Sequence, residues 1–406
     1  MEPRTNFYGL CLSGFLAKAS YALARTPVLA LFAASFGVGP EAIGFAVAIS
    51  TITGVFFKMP AGVISDIIGR RRTMLIGLAF FAVIPFLYLF VHSYNILLAV
   101  RFLHGFATAI YGPVIMAVVI DIAGGKRGEM LSLFSSVTIV GNLIGAPLGG
   151  FLLGHLAGDG PQQLEHFHII YGVVAALGML ALMTGLWASR PMAGKPANGT
   201  GKSTVSAILS HFYHSLKNIL TDRRIVVTSN MEGVQNLSVG ALEAFMPIYI
   251  VMVLEYSVFQ AGLIWGIQIF ITILAKPLMG RISDKHGRRP LLFWGMFVCA
   301  VPFAIVPWVQ NYPILLLLSM VFGLGEAIVT SSSAAMVADF CREDNIGSAM
   351  GVFGTLYDVG HATGPILAGL LIGLSDGQDF RLAFAIIATI LIISALLFRR
   401  TVPTAS

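Results

Sequence analysis

Charge is what this 406-residue chain has least of. Asp, Glu, Lys and Arg together make up 11% of it, while 57% is hydrophobic. Soluble domains carry about 25% charged residues, so a fold solvated by water over most of its surface is excluded. Cysteine is scarce as well. Cys11, Cys299 and Cys341 stand far apart, which leaves neither a disulfide framework nor a thiolate metal cluster. The nine histidines are dispersed and no H-E-x-x-H occurs, so the zinc-hydrolase signature is missing. Neither a metal site nor enzyme chemistry is expected. A complete phosphate-binding G-x-x-x-x-G-K-[ST] is missing too. Gly201–Thr204 reads G-K-S-T without the earlier glycine or a preceding strand, which excludes ATP as the direct energy source. No cofactor is expected.

What the chain has in quantity is long apolar runs. A helix needs about 20 apolar residues to cross a hydrocarbon core of about 30 Å. Twelve runs are read at residues 7–36, 41–64, 73–92, 94–120, 129–154, 167–189, 225–253, 258–280, 290–309, 312–338, 345–373 and 379–398. The expected fold class is an all-α membrane protein with twelve transmembrane helices. With the N-terminus inside, cytoplasmic segments hold 19 of the 25 Lys and Arg, and the external loops hold only Arg381. That asymmetry places both termini in the cytoplasm. It also accounts for the net charge of +6 without nucleic acid. Arg4, the apolar run after it and Ala17-Lys18-Ala19 can pass for a cleavable leader, but cleavage would destroy the first span and leave an odd number of helices.

The chain repeats itself at an offset of 218: Gly62, Ile64, Ser65, Asp66, Gly69, Arg70 and Arg71 recur as Gly280, Ile282, Ser283, Asp284, Gly287, Arg288 and Arg289. The same shift puts Lys58 on Lys276, Gly44 on Gly262, Asp121 on Asp339 and Pro147 on Pro365. One offset across four spans implies two parallel six-helix halves, an architecture that holds substrate near the midplane. The expected organisation is an N-terminal bundle at 1–189, a cytoplasmic linker at 190–224 and a C-terminal bundle at 225–406. Within the linker, Val205, Ile208, Leu209, Phe212, Leu216, Ile219 and Leu220 have a helical period, which predicts an amphipathic helix on the membrane surface.

The G-x-x-x-D-x-x-G-R-R loop between spans 2 and 3, repeated between spans 8 and 9, resembles the signature loop of the major facilitator superfamily. Gly62 and Gly280 are read as points of close backbone approach. Asp66 and Asp284 suit the positive N-terminal ends of spans 11 and 5. Arg70 is matched with Asp121, and Arg288 with Asp339. The resemblance implies that these six residues lock the cytoplasmic side; the alternative is that the arginines only set topology. Arg101 to Ala109 on span 4 is similar to a second family motif, whose arginine is linked to proton transfer. Gly141–Gly150 on span 5 resembles the family's antiporter motif with its proline one position late. Gly360–Gly369 on span 11 fits that spacing better, though in the other half. Simple close packing is the alternative for both stretches.

Charges inside the membrane cost several kcal/mol unless paired or hydrated, so each is a functional candidate. The first half contributes Lys18, Arg25 and Arg101; the second contributes Glu232, Glu243, Glu326 and Asp358. Lys18, Arg25, Arg101, Thr108, Asn142, Glu232, Asn236 and Glu326 are the expected substrate-cavity residues. Arg25 and Glu243 are repeat equivalents, read as an external gate. Glu326 and Asp358, with Arg101 and His361, are the candidates for proton coupling, against static salt bridges to Lys18 or Arg101 and helix packing for His361. Lys18 and Arg25 suggest an anionic or zwitterionic solute. The expectation is a secondary active transporter working by alternating access: a monomeric proton-coupled exporter in a bacterial inner membrane, resembling the drug:proton antiporter branch. A proton-coupled importer of an organic anion and a nontransporting or lipid-handling protein of this fold are the alternatives.

Overall fold

The computed structural model describes residues 2–124, 126–158, 160–192, 222–340, 346–375 and 379–402. The linker helix expected at 204–220, Cys341 and the side chain of Asp66 lie outside the described residues. Among the described residues there are helices and turns and no strand.

The helices are α1 (Glu2–Arg25), α2 (Val28–Ala34), α3 (Pro40–Ile68), α4 (Arg70–Leu87), α5 (Tyr94–Ala123), α6 (Arg127–Ala157) and α7 (Leu164–Ala188). After the linker come α8 (Arg223–Ile248), α9 (Val258–His286), α10 (Arg288–Ile305), α11 (Tyr312–Phe340), α12 (Ile346–Gly373) and α13 (Phe380–Thr401). Helices α1 and α2 form one 28-residue apolar span, Phe7–Ala34, interrupted at Pro27, which has no N–H to continue the ladder. Eleven spans are long and apolar enough to cross a membrane among the described residues. The 28-residue α12 makes the twelfth long helix.

Several helices carry an internal proline, among them Pro60, Pro85, Pro113, Pro147, Pro247, Pro277, Pro302 and Pro365. Membrane helices tolerate this because neighbouring helices satisfy the freed backbone groups. The start of α8 is set by Asp222, whose carboxylate accepts from Arg224 N at 2.9 Å, an N-cap. The Arg224 side chain bonded to it holds the Asp222 carboxyl below the usual carboxylate range.

The helices run past their apolar windows into the basic loops and stop at Gly69 (φ +97°) and Gly287 (φ +90°). Only glycine adopts such a backbone without strain. The expectation for the other two loop glycines is corrected here. A Cβ on Gly62 or Gly280 would meet nothing within 4 Å among the described residues. The glycines these loops require are the ones that turn the chain.

By contacts the chain divides into two units. Unit 1 is Met1–Val38, Ile49–Ser203 and Ser257–Gly262; unit 2 is Gly39–Ala48, Thr204–Tyr256 and Leu263–Ser406. In unit 1, α1 packs on α6 and α7, and α4 on α5 and α7. In unit 2, α8 packs on α12, and α10 on α11 and α13. The glycine stripes of the two antiporter-like stretches serve these seams. A Cβ on Gly141 would stand 2.6 Å from Phe15 O, and one on Gly149 2.7 Å from Leu23 O. On α12, Cβ atoms at Gly360 and Gly364 would collide with the carbonyls of Gly233 and Leu237. Small residues of this kind let membrane helices approach backbone to backbone. Within unit 2, a Cβ on Gly44 would collide with Pro365 O; within unit 1, one on Gly262 would stand 3.2 Å from Pro147 Cα.

Candidate transport site and basic loops

In unit 1 the polar centre is Arg101 on α5, which is 0% exposed. Gly105, one turn along, lets α5 touch α3: a Cβ there would stand 2.6 Å from Ser50 O. Arg101 Nη2 donates to Ser50 Oγ at 2.5 Å, and Ser50 Oγ lies 3.2 Å from Tyr21 OH. The rest of the surroundings is aromatic. Tyr21, Tyr88 and Tyr171 are the electrostatic neighbours of the guanidinium, and Tyr88 stacks on Tyr171 with ring centroids 3.8 Å apart. Tyr88 OH reaches His104 Nδ1 at 3.2 Å. The Tyr21 ring sits between two guanidinium groups, 5.7 Å from that of Arg25 and 6.0 Å from that of Arg101. Arg25 Nη2 also donates to Thr51 Oγ1 at 3.3 Å. Lys18 and Asn142 are half-buried on α1 and α6. The Thr108 hydroxyl donates to Gly105 O at 3.1 Å.

In unit 2 the polar centre is acidic. Glu232 on α8 is 0% exposed. Its Oε2 accepts from Ser333 Oγ at 2.7 Å, and its Oε1 from Asn236 Nδ2 at 3.3 Å. Glu326 on α11 is half-buried and accepts from Gln268 Nε2 at 3.2 Å, with Thr272 Oγ1 at the same distance. Glu232 lies within Coulombic reach of Lys276 and Glu326. Farther along α8, Glu243 Oε2 pairs with His361 Nε2 of α12 at 2.9 Å, and both side chains are buried. Asp358, one turn from His361, is buried on α12.

The two G-x-x-x-D-x-x-G-R-R loops carry matching ion pairs. Arg70 Nε meets Asp121 Oδ2 at 3.0 Å. Arg288 Nη1 meets Asp339 Oδ2 at 2.9 Å, and its Nη2 meets Asp284 Oδ1 at 3.3 Å. The next arginine in each loop ties it to the end of that half's last helix: Arg71 Nε donates to Ser189 O at 2.9 Å, and Arg289 Nη2 donates to Arg399 O.

The sequence model of the Major Facilitator Superfamily matches residues 10–275 and 233–406. The chain belongs to the Major Facilitator Superfamily. An uncharacterized MFS-type transporter of Methanocaldococcus jannaschii is 23% identical over 370 residues, covering 90% of this chain and 92% of the relative. The quinolone resistance protein NorA of Staphylococcus aureus is 20% identical, covering 85% and 84%. A bacterial homolog of the human lysosomal transporter Spinster, solved inward-facing and unoccupied, superposes with a TM-score of 0.82 at 13% identity, covering 98% and 96%. Membership makes this facilitator a multi-pass membrane transporter of small molecules and not an enzyme.

Several residues of its polar centres escape a reading of the sequence. Tyr21, Ser50, Tyr88 and Tyr171 around Arg101, and Gln268 and Thr272 around Glu326, are neutral side chains on apolar helices. For Ser50 and Gln268 the signal is the repeat itself: the 218-residue shift carries Gly105 to Gly323, Ser50 to Gln268 and Thr108 to Glu326, whereas Tyr21, Tyr88, Tyr171 and Thr272 have no such mark.

Proposed function

We propose that this facilitator is a proton-coupled exporter of a small organic solute that is anionic or zwitterionic. It works by alternating access as a monomer in a bacterial inner membrane, with both termini in the cytoplasm. The observation that carries this reading is the hydrogen bonding of Glu326. Its neighbours Gln268 and Thr272 are neutral, so they can serve the ionised and the protonated carboxyl in turn, as a proton carrier requires. Asp358 is the second carboxylate of the relay, and His361 and Arg101 complete the proton-coupling set. Export is supported by the resemblance to a resistance protein.

Bundles at 1–189 and 225–406, joined by the 190–224 linker, enclose the substrate. Lys18, Arg25, Arg101, Thr108 and Asn142 face its anionic part, and Glu232, Asn236 and Glu326 face its cationic part. Asp66, Arg70, Asp121, Asp284, Arg288 and Asp339 latch the cytoplasmic side, and Arg25 with Glu243 closes the external one.

The test uses purified protein in proteoliposomes with an imposed pH gradient and an entrapped pH-sensitive dye. Organic anions, zwitterions and cations are added one at a time. Anions or zwitterions should dissipate the gradient, and Glu326→Gln should abolish that response. Solute flux indifferent to the gradient would sink the coupling. So would intact coupling in both Glu326→Gln and Asp358→Asn.

A further inference from the structure

The Thr272 hydroxyl has more oxygen neighbours than it has protons. It lies 2.9 Å from Gln268 O on its own helix, 3.0 Å from Gly323 O on α11 and 3.2 Å from Glu326 Oε2. The site is tight and buried. A Cβ on Gly323 would stand 2.5 Å from Gln268 O and 3.1 Å from Thr272 Oγ1, and Thr272 is 4% exposed. A threonine hydroxyl donates one proton and accepts on its lone pairs. Which oxygen receives that proton depends on the carboxyl. Ionised Glu326 can only accept, so it draws the Thr272 proton into a charge-assisted bond. Protonated Glu326 can donate to Thr272 Oγ1, and the Thr272 proton then goes to a backbone carbonyl, Gly323 O being the one across the helix crossing.

We propose that Thr272 is a positioning residue that converts the charge state of Glu326 into a change in the α9–α11 hydrogen bond. This rests on the reading of Glu326 as a proton carrier. The other titratable groups facing this site are Glu232 from α8, Cys299 from α10 and, through Glu232, Lys276 from α9. None of them reaches Thr272 by a hydrogen bond among the described residues, so the Thr272 response belongs to Glu326. Gln268 supplies a fixed donor to the carboxyl at 3.2 Å. Thr272 differs in being able to reverse its role.

The proposal is tested on the full chain in lipid nanodiscs, without substrate, by infrared difference spectroscopy during a pH titration. The carbonyl band of protonated Glu326 is the one lost in Glu326→Gln. In Thr272→Val its midpoint should rise by about one pH unit, a tenfold gain in proton affinity or about 1.4 kcal/mol. The sign follows because the ionised form loses the stronger, charge-assisted bond. Thr272→Ser should keep the wild-type midpoint. With glycine carbonyls labelled by carbon-13, wild-type protein should show a glycine band moving with the Glu326 band, and Thr272→Val should not. An unmoved midpoint in Thr272→Val overturns the proposal. So does a wild-type titration in which no glycine carbonyl band moves, a result that needs no variant to fold. If Glu326→Gln removes no titrating band, the reading of Glu326 as proton carrier fails and this proposal fails with it. That outcome is distinct from a titrating Glu326 indifferent to Thr272.

Discussion

The crossing of α3 with α5 and the crossing of α9 with α11 are made at equivalent positions and hold opposite charges. Gly105 and Gly323 bring the helices together in both. Ser50 and its equivalent Gln268 then bind the charged group, Arg101 in one crossing and Glu326 in the other. The charge has changed sides of the glycine as well as sign: Arg101 precedes Gly105 by one turn, and Glu326 follows Gly323 by one turn. Where unit 1 has Tyr88, Arg101 and His104, unit 2 has Val306, Ser319 and Phe322. These three and Gln268 line a small, mostly apolar cavity, whereas Tyr88, Arg101 and His104 of unit 1 are 0% exposed. The pair of crossings teaches that a duplicated backbone contact can be kept while its chemistry is reversed.

The largest expected effect tests the shared part. Gly105→Val and Gly323→Val each put carbon against a carbonyl oxygen, and overpacking costs typically about 1–3 kcal/mol. Thermal unfolding should move down by similar amounts in both, and a large loss in only one would break the equivalence. The next test separates the two charges. Ser50→Ala leaves a buried guanidinium N–H unpaired, at about 1.5–3 kcal/mol for a bond to a charged group. Gln268→Leu should cost less, about 1 kcal/mol, because Thr272 still serves Glu326. Denaturation midpoints that rank these the other way would contradict the assignment of partners. The smallest effect concerns the cavity. Ser319→Val should raise stability by about 0.5–2 kcal/mol by filling space, with Tm as the readout; a fall would mean that the serine hydroxyl matters there.

The architecture was legible because its signals are one-dimensional. Run length, the placement of arginines and the 218-residue offset all survive without knowledge of which helices touch. The loop partners were legible for the same reason. Asp121 and Asp339 share the offset with Arg70 and Arg288, and the ion pairs at 3.0 and 2.9 Å join those residues. Gly62 and Gly280 were misread because a glycine in a motif does not announce whether it serves contact or turning; φ at Gly69 and Gly287 decides. The sequence offers Arg25 as the counterpart of Glu243, and the structure pairs the Glu243 carboxylate with His361 at 2.9 Å. That contact depends on the rotation of α8 against α12, which spacing along one helix does not fix. Ser50, Gln268 and Thr272 were invisible singly, since a neutral polar residue on an apolar helix bonds its own backbone as readily as a neighbour.

The native thiols supply a reporter of unfolding. Cys11 and Cys299 are free, 4% and 0% exposed, each inside a packed bundle. A maleimide dye that fluoresces on reaction therefore meets neither until helices separate. With Cys341→Ser as background, heating the detergent-solubilised protein with such a dye would record melting in each unit through its own thiol. Candidate solutes could then be ranked by the melting temperature they confer, since a ligand that binds the folded state raises it.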